Sequence, residues 1–420
     1  MRPSRRRATD RPQACSSAVS VGFTPVATPT TSEQWIGRAR EVAATLAQDV
    51  IERDAANQTP HVEVELLRTS GLVTLRGPRE HGGGGQSMAT AQRVVREVAR
   101  VDGSIAQLLG YSYLWSSVPR LVGTAEQADR LEAEATRNRW LWGGVANPRD
   151  PDLQVRDTGD HLVFDGRKTF CTGATVADVV VLQAIDPHGS GIPLQVMVPG
   201  NSAGLVPLGD WDNLGVRLSD SGGIEVHGVR GEWANALGWR DKTYQPHLSN
   251  LLLVPILQLV FANLYVGIGL GAVSAAAEYT RTKTRPALQT TIERAVDDPY
   301  ILEIYGELSA DLWAAEALTE RAGDELQAAL DDVDALTERR RGEIAVLVAA
   351  AKVRAIRASL EATSKIFEAT GARATARKAG FDRYWRDVRT HSLHDWTAYK
   401  LHEIGVFVLR DEIPTPTWYT

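Results

Sequence analysis

LLLVPILQLVFANLYVGIGLGAV, residues 251–273, is long and apolar enough to cross a bilayer, and its reading decides the architecture of the chain. It lies in a longer run, 243–277, without a single Asp, Glu, Lys or Arg. Pro255, Gln258 and Asn263 interrupt it, the sequence has no second run of this kind, and no Lys/Arg cluster directly flanks either end. A helix that is apolar all round is otherwise the buried centre of a large helical domain. That reading, with no membrane, is the one adopted.

Outward from this segment the pattern stays helical. Residues 257–284, 298–331 and 334–370 show long helical periodicity with few breakers, as in a bundle of antiparallel helices. The bundle is expected over 248–420. Upstream, 140–247 changes to period two. HLVFDGRKTF, VADVVVLQAI, IPLQVMVPG and GGIEVHGVRGEW are short alternating or β-branched runs separated by Asp-Gly, Pro-Gly and Gly-Gly pairs, which predicts an antiparallel β domain. Further upstream, 32–139 is helical again, in EQWIGRAREVAATLAQDVIERDAA and TAQRVVREVARVDGSIAQLLG, broken by the turn-rich PREHGGGGQ. The order α, β, α makes the chain α+β. Residues 1–31, with Arg2, Arg5, Arg6, Arg7 and Arg11 among Ser, Thr, Pro and Ala, resemble a transit peptide in composition and are expected to be a disordered tail.

The bulk numbers exclude some functions. With 420 residues, 43% of them apolar and 23% charged, the composition is that of ordinary globular domains. A net charge of −6 argues against nucleic acid as a partner. Two cysteines, Cys15 and Cys171, allow neither a disulfide framework nor a zinc-ligand pattern, which fits a reducing, cytoplasmic compartment.

Several stretches resemble a known family. KTFCTGATVAD (168–178), after FDG at 164–166, is similar to the acyl-CoA dehydrogenase pattern of Asn-Gly-x-Lys followed by Trp-Ile-Thr-Asn-Gly. LGVRLSDSGGIEVHGV (214–229) with ALG at 236–238 resembles the second β-domain signature, and GFDRYWRDVRTHSLHD (380–395) the C-terminal one. The resemblance runs in order over about 33–420. It implies an acyl-CoA dehydrogenase-like fold: an N-terminal helical domain, a central antiparallel β-barrel-like domain and a C-terminal four-helix bundle, usually assembled as a homotetramer. RTHSLHD (389–395), DDPYILEIYGE (297–307) and EYTRTKTRP (278–286) look like the dibenzothiophene monooxygenase branch. That branch takes reduced FMN from a separate flavin reductase and uses dioxygen to oxygenate sulfur, and related branches hydroxylate amines.

The site residues depart from a dehydrogenase. Where dehydrogenases carry Tyr-Glu-Gly-Thr, this chain has Asp395 in place of the basic Glu and Trp396 in place of the Gly, and a tryptophan there is expected to obstruct an acyl thioester. ANPRDPD (146–152) keeps only the proline of the dehydrogenase loop. A monooxygenase forms a flavin 4a-hydroperoxide, which needs a dry, hydrogen-bonded site and a proton for the departing oxygen. A histidine, with an unperturbed pKa of about 6.5, suits that task.

If 389–395 is helical, His391 and His394 share a face and Asp395 lies one turn from His391. By resemblance His394 is the histidine at the flavin ring, with His391 and Asp395 as supporting or phosphate-side partners. The resemblance also places Thr172 at the reactive ring nitrogen, Phe170 and Trp211 against the ring, and Arg285 and Arg373 on the flavin phosphate across a subunit interface. Tyr111, Ser112, Val145 and Trp396 are assigned to the substrate pocket. Ser112, in LGYSYLW, and Val145 replace a histidine and an asparagine of the desulfurising branch. No third ligand at metal spacing accompanies the two histidines, so no metal is expected. The glycines at 82–85 lack a following Lys-Ser or Lys-Thr and read as a flexible turn rather than a phosphate loop.

The function expected is a two-component, reduced-FMN-dependent monooxygenase acting on a thiophene-like or other organosulfur compound, with FMN favoured over FAD. An amine N-hydroxylase of the same fold, an acyl-CoA dehydrogenase or oxidase, and a non-catalytic scaffold or membrane-associated helical protein are the alternatives.

Overall fold

The computed structural model describes residues 28–150 and 152–420. The arginine-rich start and Cys15 lie outside the described residues, as does most of the expected tail.

The N-terminal helices are α1 (Ser32–Leu46), α2 (Val50–Ala56), α3 (His61–Thr69), α4 (Met88–Ala99), α5 (Gly103–Trp115), α6 (Val118–Val122) and α7 (Ala125–Asn138). Their starts are written in the sequence. Thr31 and Gln34 form a reciprocal capping box on α1, and Thr124 and Gln127 repeat it on α7. The glycine run before α4 is a correction. It is pinned rather than flexible: the N–H groups of Gly84 and Gly85 donate to Thr74 O and Gly77 O at 3.0 and 2.8 Å. A Cβ on Gly84 would lie 2.5 Å from Leu75 O and 2.7 Å from the Trp35 ring, so glycine is needed for close approach.

The strands are β1 (Trp142–Val145), β2 (Gln154–Asp157), β3 (His161–Lys168), β4 (Val179–Ile185), β5 (Pro193–Pro199), β6 (Leu205–Pro207), β7 (Ile224–Glu232), β8 (Trp239–Arg240) and β9 (Thr243–Tyr244). They form sheets in the orders β1-β4-β5, β2-β3-β7-β6 and β8-β9. All pairs are antiparallel except β1 with β4, which run parallel. Asp165 and Gly166, read as a separator, instead sit inside β3, where the register on β7 shifts by a bulge. The β1-β4-β5 sheet is a wall between two cores. Val179, Val181 and Met197 pack into the helical core, while Val180, Leu182, Val196 and Val198 pack into the β core. Burial on both faces explains the apolar run Val179–Leu182 in β4.

The last segment holds α8 (Leu253–Thr282), α9 (Pro299–Asp331), α10 (Glu338–Thr370), α11 (Phe381–His391) and α12 (Thr397–Arg410). Helix α8 carries the opening stretch. It is the centre of the molecule, packed by α10, α9, α11, α4 and α5, and 78% of its most apolar window is buried inside the protein. That is why it has no polar face. A Cβ on Gly267 would meet Arg96 O at 2.4 Å and one on Gly271 would meet Arg100 O at 1.9 Å, so these positions let α4 cross at close range.

Candidate active site

Where the sheet wall, α5, the start of α8 and the end of α11 meet, they enclose a cavity of about 630 Å³. That lies in the range typical of small-molecule sites. Helix α5 presents Gln107, Tyr111, Leu114 and Trp115, the i, i+4, i+7, i+8 face expected of one helical side. Gly144 at the end of β1 gives the Trp115 indole its room, since a Cβ there would lie 2.3 Å from that ring.

Phe170 and Trp211 form one wall, ring centroids 6.1 Å apart and nearly perpendicular. Phe170 is 64% exposed and has φ 54°, the left-handed region. Val216, which also lines the cavity, has φ 49°, unusual for a β-branched residue. Its carbonyl accepts from Trp211 Nε1 at 2.9 Å. Opposite, the buried Thr172 hydroxyl lies 2.8 Å from Ser221 Oγ, which is 2.8 Å from Ser219 Oγ, a short hydroxyl chain at one edge.

The two histidines meet at the inner end, and here a geometric expectation is corrected. Helix α11 stops at His391, so 389–395 is not one helix. A tight turn, with the His394 N–H donating to His391 O at 3.0 Å, stacks the rings instead, 6.2 Å apart and 18° from parallel. His391 is 5% exposed. The Tyr265 hydroxyl lies 2.8 Å from its Nδ1 and 3.2 Å from its carbonyl oxygen, which pins the ring whichever accepts the proton. Burial, with His394 and Lys352 adding to it, pushes the His391 pKa well below the usual imidazole range, so the ring is neutral. Its Nε2 is buried without a partner.

His394 lines the cavity with its Nδ1 3.4 Å from Asp395 Oδ1, which leaves Nε2 for the cavity. Asp395 is buried behind it. The same carboxylate oxygen accepts from the Lys352 ammonium, which is 1% exposed and also donates to Gln258 Oε1 at 2.6 Å. Burial opposes the Asp395 charge, but His394 and Lys352 together outweigh it and hold the carboxyl below its usual range. Burial pulls Lys352 down to about 8, against Asp395, and it stays cationic at neutral pH.

The structure thus brings Tyr111, Phe170, Thr172, Trp211, His391 and His394 to one cavity, with Asp395 directly behind His394. It corrects the other pocket assignments. Ser112 faces away and accepts from Trp142 N at 3.1 Å. Val145 is fully buried in the β core. Trp396 is 69% exposed and stacks on Tyr399 outside the cavity. Asp395 does not line the cavity and is bound to Lys352 behind His394, the supporting position of the two expected for it. Arg285 and Arg373 are exposed and away from this cavity, at adjoining points: Thr284 Oγ1 donates to Thr370 O at 3.3 Å.

Lys352, Tyr265, Ser221 and Tyr419, whose ring lies 5.7 Å from His394, were not singled out in the sequence. Lys352 had a signal. It occupies a position of α10 where the helical repeat of Ala345, Val348, Ala349, Ala355 and Ile356 calls for an apolar residue.

Among the described residues, no group of three or more His, Cys, Asp or Glu is placed to hold a metal ion. The cavity suits a planar heteroaromatic group. Its walls are aromatic and aliphatic, while the buried Gln107 Oε1, Gln195 Oε1 and His391 Nε2 have no protein partner. Such orphaned atoms fit a ligand with donors and acceptors on its edge.

The acyl-CoA dehydrogenase N-terminal domain family matches residues 30–137 and the acyl-CoA dehydrogenase C-terminal domain family residues 259–399. A dibenzothiophene monooxygenase of Mycolicibacterium goodii is 40% identical over 391 residues, covering 90% of this chain and 94% of its own. A probable FMNH2-dependent monooxygenase of Pseudomonas putida is 38% identical over 382 residues, 91% of this chain and 96% of that one. The solved complex of a dibenzothiophene monooxygenase of Paenibacillus sp. A11-2 with FMN and indole superposes with a TM-score of 0.87 at 37% identity, covering 92% of this chain and all of that one. Fold, cavity and these likenesses agree, and the chain belongs to the dibenzothiophene monooxygenase branch of the acyl-CoA dehydrogenase-fold flavin monooxygenases.

Proposed function

We propose that this protein is a reduced-FMN-dependent monooxygenase that transfers one oxygen atom of dioxygen to the sulfur of an organosulfur compound. The observation that carries it is the buried Lys352–Asp395–His394 chain opening onto an aromatic-walled cavity. Reduced FMN, when bound, supplies the two electrons and activates dioxygen.

The chain's own residues do the rest. Phe170 and Trp211 would flank the flavin ring, and the Thr172–Ser221 hydroxyl pair would hold the ring's edge. With its Nδ1–H on Asp395, His394 would take up a proton at Nε2 and pass it to the oxygen atom that leaves as water. His391 offers a neutral ring at its unpartnered Nε2 and adds no charge. Tyr111, Leu114, Trp115 and Leu257 make the substrate side apolar and exclude water. A dehydrogenase reading is disfavoured because Asp395 is committed to Lys352 and His394 rather than free as a base.

Arg285 and Arg373 are proposed to reach the flavin phosphate of a neighbouring subunit in a homotetramer. Trp313, Tyr300 and Leu302 on α9 and Val408 and Leu409 on α12, all exposed in the single chain, support such an assembly. A separate flavin reductase is the proposed source of reduced FMN, and the cytoplasm the proposed location.

The test is an oxygen-incorporation assay with chemically reduced FMN, isotopically labelled dioxygen, and dibenzothiophene, small sulfides and aromatic amines as substrates. Labelled sulfoxide or sulfone is the expected product. Labelled hydroxylamine alone would move the reaction to nitrogen. Flavin oxidation with no labelled product from any of them would overturn the proposal.

A further inference from the structure

We infer that Lys352 is a positioning residue that sets the tautomer and proton affinity of His394 through Asp395. The inference rests on the reading of His394 as the proton-handling group. It goes beyond it by assigning a role to a lysine on a different helix, 42 residues away in sequence, that does not line the cavity.

The geometry is a three-part chain. Lys352 on α10 and His394 in the turn after α11 share one acceptor, Asp395 Oδ1. Lys352 is otherwise held by Gln258 on α8 and sits 5.2 Å over the Phe261 ring. Phe261 in turn lies 4.8 Å from the His394 ring, so the lysine and the histidine are placed by the same aromatic. Asp395 can accept from Nδ1 only if that nitrogen carries the proton, which presents Nε2 to the cavity as the atom that gains or loses one.

Lys352 acts on this in two ways. Its charge adds to the His394 N–H in holding a buried carboxylate ionised. It also offsets that carboxylate, so His394 feels a nearly neutral pair instead of a bare anion.

The other titratable groups around His394 leave this control to Lys352. From α8 and α5, Tyr265 and Tyr111 are pushed by burial to higher pKa and stay neutral. From α11, His391 is neutral. From the tail, Tyr419 contributes a ring edge. On α12, Lys400 and Glu403 are paired with each other at 3.1 Å. Arg389 lines the cavity but makes no ion pair among the described residues. Among the described residues, Lys352 is the one cation in contact with the carboxylate that His394 uses.

The test is nitrogen NMR of histidine side chains in the full chain, with neither flavin nor substrate, titrated with acid and base. His394→Gln identifies the His394 signals by their loss among the 9 histidines. In wild type the neutral form of His394 is expected as a single tautomer, with the proton on Nδ1. Lys352→Met should move its titration midpoint upward, with about a tenfold gain in proton affinity for each unit, because the carboxylate is no longer offset. Lys352→Met/Asp395→Asn, which removes both charges and so avoids a bare buried anion, should return the midpoint below that of wild type and mix the tautomers. Lys352→Arg should stay near wild type.

A merely structural lysine would lower the unfolding midpoint without moving the titration. Should Lys352→Met fail to fold, the double variant decides. Wild-type tautomer and midpoint in the double variant, or in a folded Lys352→Met, would overturn the inference. Because no flavin is present, a shift as expected in a protein that oxygenates nothing would sustain this inference and defeat the monooxygenase reading. Oxygenation with an unmoved titration would do the reverse.

Discussion

The backbone N–H of Val216 donates to Asp387 Oδ1 at 2.6 Å, joining a β-domain loop to a helix 171 residues later. Val216 is held in the left-handed region, and its carbonyl fixes the Trp211 indole at the cavity wall. Strain of this kind costs on the order of 1–3 kcal/mol and persists only where neighbours enforce it. Asp387→Ala should release the loop, lower unfolding free energy by about 1–3 kcal/mol and weaken FMN binding as Trp211 loses its anchor. Denaturant unfolding and flavin fluorescence titration measure the two effects. Unchanged FMN affinity would mean Trp211 is not held by this contact.

Asp387 also predicts a pH dependence. Burial pushes its carboxyl up from 3.8 to about 7, with Arg383 pulling the other way. A carboxyl raised in the folded state favours the folded protein while protonated. Its stabilisation is therefore full below about pH 4 and is lost as pH rises through about 7. Asp387→Asn should flatten the fall in urea midpoint over that window. Asp220, raised by burial to about 6, keeps part of the slope. An identical slope in wild type and Asp387→Asn would refute the assignment.

His394→Phe tests the proton-handling group. The phenyl ring can keep the contacts with Phe261 and Tyr419, and Asp395 keeps Lys352, so the unfolding midpoint should change little. Product formation should fall about 10²–10⁴-fold, the usual worth of a positioned acid or base, while flavin oxidation continues and hydrogen peroxide accumulates. Near-wild-type product yield would remove His394 from the mechanism.

The fold was legible because α8 could be read from its own residues: a charge-free run carrying Pro255, Gln258 and Asn263 belongs inside a protein. Gln258 Oε1 accepts from Lys352 at 2.6 Å, and Asn263 donates to Leu259 O at 3.0 Å, so each polar side chain finds a partner inside the protein. The central residues of the site, His394, Thr172, Phe170 and Tyr111, were legible through family motifs. Ser112, Val145 and Trp396 were misplaced because adjacency in sequence is not adjacency in space. On a helix the neighbour of Tyr111 points some 100° away, and on a strand the neighbour of Gly144 points to the opposite face. The stacked histidines depend on where α11 ends, and no Gly or Pro marks that end.

Phe170 offers a separation of binding from stability. It is exposed and left-handed, so without flavin it contributes strain and little packing. Phe170→Gly should leave stability almost unchanged, because relief of about 1–2 kcal/mol of left-handed strain offsets the added entropy of glycine in the unfolded chain. FMN affinity should fall about tenfold, the worth of one aromatic contact. Thermal unfolding without flavin and FMN titration give the two numbers. A large loss of stability without flavin would show that Phe170 packs against protein instead.

Arg285 and Arg373 make the assembly itself testable. They follow α8 and α10 at one end of the bundle, exposed and apart from the cavity of their own chain. Each hydrogen bond to a phosphate is worth roughly 1.5–3 kcal/mol. Arg285→Ala/Arg373→Ala should therefore weaken FMN binding at least tenfold with an unchanged unfolding midpoint. If those arginines serve a neighbour's flavin, chains lacking them and chains carrying His394→Phe should rescue one another when co-expressed with different tags. In a symmetric assembly with random mixing, about one site in four would receive its histidine from one parent and its arginines from the other. Activity near a quarter of wild type in the doubly purified hybrid, against almost none in either parent, is the expected result. No recovery in a confirmed hybrid would place the arginines in their own chain's site or off the flavin altogether.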